Sequence, residues 1–317
     1  MDILFAVTGL VLLLLSGDVL VRGAVNLGLR LGIPALIVSL TIVAFGTSAP
    51  ELLVAIKSAM NGLPGLAIGN VVGSNIANIL LVLGLPALFA GINSAKCDSR
   101  KTYSFMMGTT VIFIALSYLG PLGFWHGVIL ISLMGAMLLE SFFATQKHRE
   151  AERCEVCEIP GEIEGADPEM PWLKIGLYIL LGVIGLPLGA ELLIKGALAI
   201  AREIGVSEAA IGLTLVALGT SMPELATTVM AAIRKHGDVA MGNAIGSNMF
   251  NILGIMGITS FFGPLDIPPG ILHFDLWVML AAALAIAPFV FLRRNITRKW
   301  GAVLTAFYVA YVVMLLT

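Results

Sequence analysis

Gly46-Thr47-Ser48-Ala49-Pro50-Glu51 recurs 173 positions further on as Gly219-Thr220-Ser221-Met222-Pro223-Glu224, and both copies lie inside apolar stretches. Each copy puts a carboxylate where hydrocarbon is expected. An ionisable side chain inside a membrane-spanning segment costs about 3 kcal/mol on insertion scales, so such residues mark pathways or partners. Glycine and proline in the same copy interrupt the helix, as in transporters whose broken helices offer backbone carbonyls to ions at membrane depth. Glu51 and Glu224 are therefore the first candidate functional residues.

The surrounding chain requires lipid. Its 317 residues are 58% hydrophobic and 12% charged, with a mean hydropathy of +0.99; soluble domains carry about 25% charged residues. The net charge of -2 is spread without a basic block, which excludes nucleic acid as a partner. Met1-Asp2-Ile3 has no basic leader and opens an apolar run too long for a cleavable signal, so it reads as a first membrane helix. Cys97, Cys154 and Cys157 lie outside the apolar runs, and the single CxxC at 154–157 is a weak metal or redox signal.

Runs of the roughly 20 apolar residues needed to cross a bilayer predict helices at Ile3 to Leu31, Ala35 to Met60, Pro64 to Ala90, Tyr103 to Leu119 and Phe124 to Thr145. Five more follow at Leu173 to Ile204, Ala209 to Ile233, Asp238 to Phe262, Leu272 to Leu292 and Lys299 to Leu316. The expected fold is an all-α polytopic membrane protein of ten transmembrane helices. Residues 1–145 form a first five-helix repeat with motifs at 44–80, and 173–317 a second with motifs at 217–253. Between them, 146–172 is an acidic linker with Glu150, Glu152, Glu155, Glu158, Glu162, Glu164, Asp167 and Glu169, and reads as a solvated hinge.

The offset of 173 holds in detail. Asp18-Val19-Leu20-Val21-Arg22-Gly23-Ala24 matches Glu191-Leu192-Leu193-Ile194-Lys195-Gly196-Ala197, and Gly73-Ser74-Asn75-Ile76-Ala77-Asn78 matches Gly246-Ser247-Asn248-Met249-Phe250-Asn251. Two unrelated apolar segments share Leu and Val by chance, but not Glu, Pro, Asn and Gly in register. An odd number of spans per copy makes the repeats inverted, as in secondary transporters. With the termini outside, fifteen of the eighteen Lys and Arg residues face the cytoplasm and only Lys57, Lys195 and Arg202 do not. Cytoplasmic loops concentrate such residues, so both termini are expected outside and the linker in the cytoplasm.

Thr47 and Ser48 stand four and three residues before Glu51, close enough on a helix to share its face; Thr220 and Ser221 do the same for Glu224. Ser74 with Asn78, and Ser247 with Asn251, are likewise four apart. These donors are all oxygens. Hard cations such as Ca²⁺ and Na⁺ favour oxygen ligands, six to eight at about 2.4 Å for Ca²⁺, whereas zinc and copper favour His and Cys. Two carboxylates neutralise one Ca²⁺ or two Na⁺, a physical basis for competition between the ions. Gly-Ser-Asn runs alone are common at membrane helix packing faces, but the glutamates lack that explanation: no basic residue lies between Leu31 and Lys57 or between Ser207 and Ile233. Asp18 with Arg22 and Glu191 with Lys195 read as local ion pairs four residues apart.

At these motifs the chain resembles the Na⁺/Ca²⁺ exchanger family of the cation/Ca²⁺ antiporter superfamily, whose two repeats carry GTS-x-PE followed by a GN-x-x-GSN-x-x-N-like run. The resemblance implies Glu51 and Glu224 as central carboxylate ligands, with Thr47, Ser48, Thr220 and Ser221 as hydroxyl partners. It further implies Ser74, Asn78, Ser247 and Asn251 as ligands completing adjacent Na⁺ and Ca²⁺ sites, and Ala44 and Ala217 as backbone carbonyl donors. No cofactor or obligatory protein partner is implied; the transported ions are Ca²⁺ and Na⁺. Some members, notably the K⁺-dependent exchangers, carry Asp where Asn251 stands, which implies exchange independent of K⁺. H⁺/Ca²⁺ antiporters of the superfamily show GNA-x-E in place of GTS-x-PE, so proton coupling is the alternative and a cation channel a more distant one. The expected function is export of Ca²⁺ in exchange for Na⁺ by alternating access across a prokaryotic cytoplasmic membrane, with the long first and sixth helices as the sliding element.

Overall fold

The computed structural model describes residues 2–32, 35–95, 99–152, 167, 169–203 and 217–316. Among these the chain is helical between short loops, and the only sheet-like pairings are two isolated bridges. Cys97, Cys154, Cys157 and most of the acidic linker lie outside the described residues, as does the start of the seventh predicted span.

Helix α1 is Asp2–Leu31. The second predicted span is broken: α2 (Ala35–Val38) passes through a π-helical turn, Ser39–Val43, into Ala44–Thr47, and α3 (Ala49–Met60) restarts after Ser48 at an angle of 51°. The cause is local, because Pro50 has no N–H to offer the carbonyl of Gly46. The third span comprises α4 (Pro64–Leu80) and α5 (Gly84–Ala90), followed by α6 (Arg100–Tyr118) and α7 (Phe124–Glu152). Helix α7 thus runs into the region expected to be linker. In the second half, α8 is Trp172–Glu203, and α9 (Ala217–Thr220) and α10 (Met222–Ile233) flank the break at Ser221. Next, α11 (Gly237–Met249) leads into π-helical Phe250–Met256, and α12 (Leu276–Ala285), α13 (Ala287–Phe291) and α14 (Arg298–Leu316) close the chain.

Lipid-facing composition survives in three dimensions. Among the described residues five segments are long and apolar enough to cross a membrane, and the broken Ser39–Thr47 and Pro50–Met60 pair makes a sixth if counted as one span. Leu4, Val7, Leu173, Leu180 and Ile184 stand exposed along α1 and α8, and an integral membrane protein solvates such side chains with acyl chains.

Two bodies are distinguishable by what they bury. Helices α1 and α8 run antiparallel, with backbones so close that a Cβ on Gly9 would overlap Gly189 and Leu193, and one on Gly189 would fall 2.9 Å from the amide of Leu13. Small residues permit this approach in membranes, where dispersion and not hydrophobicity drives helix contact. The other body is a continuous core around α4 and α11, filled by Ile68, Ile76, Ile79, Ile245 and Ile252. Its outer helices are tied by the bridges Ile92 to Ile296 and Leu122 to Leu265. Ile92 and Leu122 belong to the first half and Ile296 and Leu265 to the second, so each bridge joins the two halves.

The ion pairs expected within α1 and α8 both form. Arg22 Nε lies 3.1 Å from Asp18 Oδ2 and Lys195 Nζ lies 2.6 Å from Glu191 Oε1. Asp18 has gained a partner that sequence spacing did not suggest, Arg234. The last described part of the linker is docked on α1: the amide of Asp167 donates to Asn26 Oδ1 at 2.7 Å, and Arg30 donates to the carbonyls of Glu169 and Met170 at 3.1 Å while stacking over Trp172.

Candidate cation site

Both helix breaks have the same backbone. Ser48 has φ −85° and ψ 5°, Ser221 has φ −86° and ψ 4°, and a proline is the second residue of the helix after each. The break turns the first turn of α3 and α10 inward, which delivers Glu51 and Glu224 to the interior. Each glutamate is 1% exposed.

The halves interlock at these breaks. Ser48 Oγ donates to Glu224 Oε1 at 3.1 Å, so a hydroxyl from the first break serves the carboxylate of the second. Ser221 Oγ reaches Ser74 Oγ at 3.5 Å, and Thr220 Oγ1 reaches Asn70 Oδ1 at 3.4 Å. Thr47 Oγ1 donates to the carbonyl of Ala44 at 3.2 Å, which also accepts the amide of Ser48 at 3.0 Å. Ser74, Asn78, Ser247 and Asn251 are all buried on α4, on α11 and in its π-helical continuation. Thr220 is half-buried, and Ala217 begins the short helix leading to the second break. The wide π turns that carry Ser39 and Asn251 loosen the helix beside each motif, a deviation found often at functional sites. Ser39 Oγ secures one of them by donating to the carbonyl of Val239 at 2.8 Å.

Buried polar atoms without a protein partner concentrate here. Among the described residues they include Glu51 Oε2, Glu224 Oε2, Asn78 Oδ1, Asn251 Oδ1 and Ser247 Oγ. Each is an oxygen from the set named by sequence. Asn75 and Asn248, which stand in the repeated runs without an assigned role, and Asn243, which the sequence did not single out, also leave Oδ1 unpaired while their Nδ2 groups donate to protein oxygens. A buried acceptor without a donor costs about 1–3 kcal/mol. A surplus of bare acceptors gathered around two carboxylates is stabilised by a cation.

The asparagines of the GN motif are the other residues whose part only the structure reveals. Asn70 Nδ2 lies 3.4 Å from the carbonyl of Glu51, and Asn243 Nδ2 lies 3.2 Å from that of Glu224. Both follow their glutamate by 19 positions, a spacing visible in the sequence but meaningless until the helices pack. Asn243 additionally donates to Thr227 and Thr228 at 2.9 and 3.0 Å, positions occupied in the first half by Val54 and Ala55.

The family described as sodium/calcium exchanger protein matches residues 1–143 and 174–317, leaving out the linker. The sodium/calcium exchanger MaX1 of Methanosarcina acetivorans is 30% identical over 99% of this chain and 98% of its own length. The inner membrane protein YrbG of Escherichia coli is 33% identical over 98% and 95%. Among solved structures, the sodium-calcium exchanger NCX_Mj soaked with zero Na⁺ and Ca²⁺ superposes with a TM-score of 0.82 at 28% identity, covering 99% of this chain and 98% of that one.

Proposed function

The chain belongs to the sodium/calcium exchanger protein family, a family of transporters and not of enzymes, and from that premise we propose that it exports Ca²⁺ in exchange for Na⁺ by alternating access. The observation that carries this reading is the oxygen-only set around Glu51 and Glu224, with Ser48 bonded across the halves to Glu224 and with Glu51 Oε2, Glu224 Oε2, Asn78 Oδ1, Asn251 Oδ1 and Ser247 Oγ unpaired. A hard cation satisfies all of them at once. Thr47, Ser48, Thr220, Ser221, Ser74, Asn78, Ser247 and Asn251 would share the coordination, with the carbonyls of Ala44 and Ala217 contributing backbone oxygens.

Two carboxylates cannot bind Ca²⁺ and a full complement of Na⁺ together, because the positive charges repel in a buried site. Occupancy by one ion therefore lowers affinity for the other, and the gradient of Na⁺ drives Ca²⁺ outward. Asn251 in place of a third carboxylate leaves too little negative charge to add K⁺, so exchange is independent of K⁺. The similarity to the inner membrane protein YrbG and the distribution of Lys and Arg support a prokaryotic cytoplasmic membrane with both termini outside. Residues 1–145 and 173–317 act as the two inverted halves of the transporter.

Reconstitution tests the reading. Proteoliposomes loaded with Na⁺, K⁺ or acid are offered external ⁴⁵Ca²⁺, and uptake is expected only against internal Na⁺. Uptake driven by acid alone assigns proton coupling instead, and uptake without any counter-ion assigns a channel.

A further inference from the structure

The two faces of the molecule differ in how the long helices meet the core. On the face that carries the linker, α1 rests on α10: a Cβ on Gly17 would fall 3.0 Å from the carbonyl of Ala226, and Leu13, Leu20 and Ala226 share an apolar cluster. On the other face, the repeat relation pairs α8 with α3 in the same way, with Leu53 standing where Ala226 stands. Ala226 is 5% exposed and Leu53 is 60% exposed. One face is shut and its counterpart is open.

Charge follows the same division. On the shut face Asp18 lies between two arginines, Arg22 of its own helix at 3.1 Å and Arg234, the residue that ends α10, whose Nε donates to Asp18 Oδ1. The Asp18 and Arg234 side chains are 17% and 11% exposed. On the open face the pair Glu191 and Lys195 is about 60% exposed, and the residue corresponding to Arg234 is the exposed, uncharged Asn61. Exposed ion pairs contribute little. A partly buried pair between two elements differs, because separating them leaves each charge poorly solvated.

We propose that Asp18 and Arg234 form an ionic latch that holds α1 against α10 and so biases the transporter toward the state closed on the linker face. The proposal rests on the alternating-access reading above. Among the described residues the opposite face, with Asn61, has no equivalent, so the two closed states of the cycle are unequally stabilised. The latch must open each time α1 moves, and Arg22 remains beside Asp18 to receive its charge. An unequal bias gives unequal apparent affinities, since a ligand offered to a rarely open face binds in proportion to the population of that opening.

Two measurements test this. In the first, Cys97, Cys154 and Cys157 are replaced by Ser and a single cysteine is introduced by Ala226→Cys. A membrane-impermeant thiol reagent is then applied to each side of sealed vesicles. The site should be protected when Asp18 and Arg234 are intact and labelled from the linker face when Arg234→Gln is added. The exchange D18R/R234D should restore protection. In the second, ⁴⁵Ca²⁺ exchange is measured from each face in Arg234→Gln. Apparent affinity at the linker face should rise by about three- to tenfold and that at the opposite face should fall by less. Lys195→Gln should change neither readout. Equal labelling with and without Arg234→Gln, or affinities that move in the same direction at both faces, would overturn the latch. Failure of the charge exchange to restore protection in a folded protein also counts against it. A protein that carries no Ca²⁺ under any gradient sinks the transport reading instead, and the labelling still decides whether the latch exists.

Discussion

The glycine-packed pair α1 and α8 and the core around α4 and α11 are both helical and apolar, yet they bury their surfaces in opposite proportions. Only 28% of the spanning window of α1 is inside the protein, and the same holds for α8, whereas 78% of the window Pro64–Ala90 is buried. The pair is smooth, in close contact with itself, and joined to the rest through a small apolar cluster, through Val21 and Val25 of α1 in the main core, and through the Asp18 ion pair. The core is filled by branched side chains and threaded by asparagine hydrogen bonds. Motion and binding make different demands. A surface that slides needs shallow relief, and a site that holds an ion needs ligands fixed by packing on every side.

Substitutions that act on one region and spare the other put this division at risk. The largest effect belongs to the site: Glu51→Gln and Glu224→Gln should each reduce Na⁺-driven ⁴⁵Ca²⁺ exchange to background while the protein elutes as a folded species from a sizing column. Retained exchange in either variant would remove the carboxylates from the mechanism. Next comes Gly246→Ala in the core, where the added Cβ meets the carbonyl of Leu40 at 2.7 Å. Overpacking of this kind costs about 1–3 kcal/mol, so thermal unfolding of the detergent-solubilised protein should shift downward.

Gly189→Ala crowds the backbone of α1 in the same way, but its effect should appear chiefly as slower exchange, with less loss of thermal stability than Gly246→Ala. If the two glycine variants lose stability equally and keep equal rates, the distinction between a sliding pair and a fixed core is wrong. A smaller effect is expected of Asn251→Asp, which adds a third carboxylate among unpaired oxygens. Ion competition should shift, with K⁺ gaining influence over Ca²⁺ exchange in this variant and none in the parent. The smallest belongs to Glu191→Gln, since its exposed pair with Lys195 touches neither core nor site; exchange rate and unfolding temperature should both stay at the parent values.

Much of this organisation is legible without coordinates. Apolar runs of bilayer length predict Ile3 to Leu31, Pro64 to Ala90 and Leu272 to Leu292, and the structure has helices at Asp2–Leu31, at Pro64–Leu80 with Gly84–Ala90, and from Ile271 to Phe291. Those boundaries follow from local chemistry, because glycine, proline and charge end a span wherever they occur. Agreement weakens where the signal is polar but still helical: α7 continues to Glu152, beyond the expected end at Thr145. His236, which falls between two predicted spans, is buried just before α11.

The sequence alone determined the duplicated motifs, the two intramembrane glutamates, the helix breaks and the oxygen character of the site. Each of these depends on residues within a few turns of one another, where proline geometry, spacing and hydropathy act directly. Tertiary structure decided which oxygens meet. Ser48 bonds to Glu224 across 176 positions, Asn248 reaches the carbonyl of Asn75 across 173, and Arg234 finds Asp18 across 216. No periodicity encodes such pairs, because they arise when two inverted copies are packed face to face and the interior, closed to water, must satisfy its polar groups from the other half.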